Sequence, residues 1–232
     1  MEEKDEQINS DKLTPRLLGA TFFIVAIASA LSGFLLLSLI EPDNISATII
    51  NISEDPIKMQ MSIVGEFITS IGIVLLAVLL YTTLKGQNQI IARWAFGLWI
   101  IEAATLAVSR ISAFSLLNLS QEFIKAGSPD PSYFQTLGSL FYESAQFGYD
   151  LHGLFWALGG LLFYYLFLRS RYIPIAFPLF GIILTSVAFI GTLLEFFDFA
   201  VPMYVFLPSL PYEMAIGIWL MFKGIRDGSE TK

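Results

Sequence analysis

Cysteine is absent from the 232 residues and histidine occurs once. The first absence excludes disulfides, thiol catalysis and thiolate metal sites, and the second excludes the paired axial imidazoles of a membrane haem. Charge is scarce as well. Only 14% of residues are charged against 55% hydrophobic, where a soluble domain carries about 25% charged residues. A soluble catalytic domain is thereby excluded. Positive charge is the scarcer sign, 13 Lys and Arg against 20 Asp and Glu for a net charge of -7. Nucleic acid is therefore not an expected partner, and no segment reads as an arm for anionic lipid. Metalloprotease HExxH, glycine-rich phosphate loop and GxSxG elbow are all missing, so no cofactor or metal is expected and an intramembrane enzyme is the least favoured reading.

Long apolar runs are what the chain has. Residues 17–40 contain no charge at all, and about 20 apolar residues suffice to cross about 30 Å of hydrocarbon. Comparable runs at 61–84, 94–117, 147–168, 174–194 and 201–222 make six spans. The expected fold is an all-α polytopic bundle, with a disordered tail at 1–16, a six-helix transmembrane domain at 17–225 and a short tail at 226–232. Ala28, Ser29 and Ala30 mimic a signal-peptide cleavage site. The region before them, however, carries three positive and five negative charges, and the apolar run continues past Ala30, so the first span reads as a retained helix.

Six spans put both termini on one side. That side collects Lys4, Lys12, Arg16, Lys85, Arg93, Arg169, Arg171, Lys223, Arg226 and Lys232, whereas the other receives only Lys58 and Lys125. The asymmetry places both termini in the cytoplasm. A cysteine introduced at Ser46 should react with an impermeant thiol reagent in intact cells, and one at Gln87 should not. Labelling of Gln87 from outside would contradict this orientation.

Two segments depart from plain apolar cylinders. Pro202, Pro208 and Pro211 crowd the outer half of the last span, and each removes a backbone donor, so this helix is expected to be kinked or broken. If it begins at Pro211, Glu213 falls in its first turn beside free amides. Residues 132–146 are half polar and read as an interfacial helix or an extension of the fourth span. Small residues at four-residue spacing mark packing faces: Ala26 with Ala30, Ser29 with Gly33, Gly153 with Ala157, and Gly181, Thr185, Ala188 and Thr192.

Ionisable groups in hydrocarbon cost about 2.5–3.5 kcal/mol on insertion scales, so each asks for a partner. Glu66 shares a helix stripe with Ser62, Thr69 and Ser70 in the second span, and Arg110 lies at a similar depth in the third. They are expected to form a structural ion pair if those helices adjoin. Glu102, His152 and Glu213 fall near the midplane of three different spans. They are the candidates for ligand or proton binding, against the plainer alternative of separate structural hydrogen bonds. Asp150 lies on the opposite face of its helix from His152.

Five segments in order carry a family likeness: PRLLGATFFIVAIASALSG at 15–33, LYTTLKGQNQIIA at 80–92, LWIIEA at 98–103, LLFYYLFLRSRYIP at 161–174 and YEMAIGIWLMFKGI at 212–225. Together they resemble the bacterial membrane family called domain of unknown function 4386. The chain departs from that pattern at Trp99, where the family commonly has an arginine, and at Ile175, where a basic residue usually follows the proline. No role resting on that arginine carries over. The resemblance implies a six-helix protein of the bacterial inner membrane and makes Glu102 and Glu213 typical family positions. It implies no activity. An accessory or regulatory membrane component is the first functional expectation, with a carrier or small-ligand binder as the alternative. The lipid bilayer is the expected surroundings, and a second copy or another membrane protein is left open as a partner.

Overall fold

The computed structural model describes residues 2–127, 131–197 and 199–226, with side chains from residue 13 onward except that of Pro131. The helices are α1 (Glu2–Leu37), α2 (Ile45–Glu54), α3 (Pro56–Leu84), α4 (Gln89–Lys125), α5 (Pro131–Ser170), α6 (Ala176–Phe196) and α7 (Ser209–Lys223), and a 3-10 turn at Met203–Val205 precedes α7. No strand occurs among the described residues. Six segments are long and apolar enough to cross a membrane: Leu13–Leu37, Pro56–Leu84, Gln89–Lys125, Ser132–Ser170, Ala176–Phe196 and Met203–Lys223. The chain is an all-α, multi-pass membrane protein.

Local chemistry sets the boundaries. Asn44 caps α2 by accepting from the Ala47 N–H, Asp55 caps α3 by accepting from Lys58, and Asn88 caps α4 by accepting from Ile90 and Ile91. Pro56 follows as the first residue of α3, where a missing N–H costs nothing. The α1 backbone is helical through most of the segment expected as a tail. At the other end, residues 227–232 of the tail expected at 226–232 lie outside the described residues.

Two elements exceed their expected spans. At 1.5 Å per residue, α4 and α5 are each more than about 50 Å long and stand well clear of about 30 Å of hydrocarbon. The half-polar 132–146 segment thus prolongs the fourth helix. Beside this extension lies α2, read from sequence only as loop. Its Ile49 and Ile52 are fully buried with Leu39, Met59, Ile63, Leu116 and Leu117 in an apolar core at that end of the bundle. The second core, around Leu18, Phe22, Leu80, Trp99, Phe163, Phe167 and Leu220, fills the opposite half.

Each long helix packs on the next in the order α7, α1, α3, α4, α5, α6. The circuit closes by only a slight approach of α6 to α7, and α5 and α7 bring no Cα pair within 8 Å of each other among the described residues. Side chains make up for the distance: the Tyr212 hydroxyl of α7 donates to the Phe177 carbonyl of α6 at 2.9 Å, and the Tyr212 ring meets the Tyr164 ring of α5 at 5.6 Å. Elsewhere backbones nearly touch. Ser32 and Ser62 donate to each other's carbonyls at 3.1 and 2.9 Å where α1 crosses α3. The predicted faces fare unequally. Gly181, Thr185, Ala188 and Thr192 are all buried, whereas a side chain on Gly33 would meet nothing.

Candidate functional site

The face of α4 carrying Trp99, Glu102, Ala103 and Leu106 is buried, because positions three and four apart share one side of a helix. Glu102 is 1% exposed. It faces α5, which comes close because glycines line the contact: the Trp99 indole stands where a side chain on Gly159 would be, and a Cβ on Gly148 would lie 2.6 Å from the Ser109 Cβ. That approach brings His152 Nδ1 to 3.7 Å from Glu102 Oε1. The two face each other incompletely satisfied, since Glu102 Oε2 and His152 Nδ1 have no hydrogen-bond partner.

One turn along α5 from His152, Trp156 connects the pair to α7. Its indole N–H donates to Glu213 Oε1 at 3.0 Å, while its backbone carbonyl accepts from the Trp99 indole at 3.2 Å. Trp156 thus ties α5 to α4 through its carbonyl and to Glu213 on α7 through its indole, one turn from where His152 faces Glu102. Tyr149, one turn before His152, places its ring 5.3 Å from the imidazole.

The setting of Glu213 differs from the one read in sequence. The helix begins at Ser209, so Glu213 lies beyond the first turn and its bond comes from an indole rather than from free amides. Pro211 is accommodated because the first turn needs no backbone donor from it. Asp150 accepts from Gln146 at 2.8 Å, on the side of α5 away from His152.

Glu66 and Arg110 are brought onto facing helices, each 3% exposed, but not into a salt bridge. Ion pairs within 4 Å among the described residues join Lys58 to Asp55 and Lys125 to Glu122, and the 3.7 Å approach of His152 to Glu102 is one only when the imidazole is protonated. The Arg110 guanidinium instead donates through Nε and Nη2 to Ser109 Oγ and lies 5.8 Å from the centre of the Tyr149 ring.

Trp156 and Tyr149 were not singled out from sequence as site residues. Their spacing from His152 was legible, but which helices they would reach was not. No group of three or more His, Cys, Asp or Glu is placed to hold a metal ion among the described residues.

The family profile described as "Domain of unknown function (DUF4386)" matches residues 17–224, all six crossings included. The chain belongs to this family. No curated protein and no solved structure matches it. Membership in DUF4386 names no reaction, so the chemistry has to come from the residues themselves.

Proposed function

We propose that this DUF4386 protein is a carrier or small-ligand-binding protein of the inner membrane, with both termini cytoplasmic, whose interior site holds an exchangeable proton. Glu102 holds that proton, His152 is the imidazole nearest to receive it, and Glu213 is the second carboxyl of the same site. One observation carries the reading: a carboxyl buried to 1% exposure faces the chain's sole imidazole at 3.7 Å, and each keeps a buried polar atom without a partner. A purely structural polar group inside a bilayer is normally satisfied, because leaving it unmade costs several kcal/mol by general estimates of about 2–7 kcal/mol. Intramembrane carboxyl and imidazole groups that remain open are the usual bearers of protons or ligands.

Infrared spectroscopy of the purified protein across a pH series tests this. The expected result is a protonated-carboxyl band that titrates and that Glu102→Gln removes, with Glu213→Gln shifting its midpoint. A spectrum that neither substitution changes would leave the accessory or regulatory reading in front, each group being a packing residue.

A further inference from the structure

A second polar layer separates the two apolar cores. Glu66 and Ser70, one turn apart on α3, are 3% and 6% exposed, and Glu66 Oε2 and Ser70 Oγ have no hydrogen-bond partner. Across from them on α4, Arg110 is 3% exposed, and its Nε and Nη2 both donate to one neutral hydroxyl, Ser109 Oγ, at 3.0 and 2.8 Å. Glu66 and Arg110 lie on the packed helices α3 and α4, between the two apolar cores, and form no ion pair within 4 Å. A buried cation, a buried anion and a buried hydroxyl thus share one layer without closing on one another. Either charge buried alone is costly, and a guanidinium has five donors of which one hydroxyl can use few.

The sign of these groups selects what can bridge them. A simple anion is repelled by Glu66, a simple cation is repelled by Arg110, and the summed charge of the pair is zero. A net-neutral molecule with an acceptor at one end and donors at the other matches both, and guanidinium is the side chain best shaped for a carboxylate. We propose that this layer binds a small zwitterion of the amino-acid class, its carboxylate on Arg110 and its ammonium on Glu66 and Ser70. The Tyr149 ring lies beside Arg110 at 5.8 Å. The layer is about two turns along α4 from Glu102 and adjoins the proton site through Tyr149, which lies against both Arg110 and His152, and glycine binding is a separate readout from the carboxyl titration.

The test is binding to the purified full chain, read by thermal stability and by equilibrium dialysis of labelled glycine. Glycine should stabilise saturably, while acetate and methylammonium, each carrying only half of the zwitterion, should not at the same concentration. This comparison needs no variant. The charge-balanced double substitution Glu66→Gln with Arg110→Gln should weaken glycine binding at least tenfold. Absence of saturable glycine binding, equal effects of all three solutes, or unchanged binding in the double variant would each overturn the proposal.

Discussion

Replacing Gly19 with leucine is expected to destabilise the protein by about 3 kcal/mol or more, the upper end of what overpacking costs. The reason is backbone, not side chain. A Cβ on Gly19 would stand 2.5 Å from the Gly217 carbonyl oxygen and 2.5 Å from the Met221 nitrogen, and a Cβ on Gly217 would stand 2.9 Å from the Gly19 oxygen. Helix backbones cannot yield locally, so α1 and α7 must separate. The consequence reaches the site, since α7 packs extensively on α1 and hardly on α6. Displacing it pulls Glu213 away from Trp156. Gly33 on the same helix has open space around it, so Gly33→Leu should leave thermal stability in detergent close to that of the parent. Equal melting temperatures for Gly19→Leu and the parent would contradict the crossing.

The second large effect concerns charge. Glu66→Gln and Arg110→Gln alone should each cost about 3–5 kcal/mol, because either leaves one buried charge without its counterpart. Removing both at once should cost less than the sum of the two, and exchanging the two residues should recover part of the loss. No ion pair within 4 Å joins them, so the non-additivity, read from unfolding in detergent, is the informative quantity. Strict additivity would mean that the two charges do not act on each other.

The legible part of this molecule was what hydrocarbon dictates. Six charge-poor runs could only be crossings, and the family likeness of the 15–33, 80–92, 98–103, 161–174 and 212–225 segments agrees with the profile match over 17–224. The short helix α2 was missed because ten residues cannot cross a membrane. Asn44 as a cap and Ile45, Ile49 and Ile52 at helical spacing were the available signals. Counting residues along each span put Glu102, His152 and Glu213 near one level as an expectation.

Adjacency was not legible. Nothing in a single helix announces that Gly148 and Gly159 let α4 settle onto α5, or that Trp156 reaches across to an α7 whose backbone stays beyond 8 Å. The same gap explains Glu66 and Arg110. Their helices adjoin as expected, but sequence cannot tell facing charges from touching ones, and the neighbouring Ser109 hydroxyl takes the guanidinium donors.

The central claim, that Glu102, His152 and Glu213 form one site, is tested most directly by nitrogen NMR of protein labelled with 15N-histidine. His152 is the single histidine of the chain, so the imidazole signals need no assignment. The account predicts that Glu102→Gln moves them strongly, by removing the carboxyl at 3.7 Å, and that Glu213→Gln moves them as well, through Trp156 and the loss of its charge. Imidazole signals indifferent to both substitutions would contradict it.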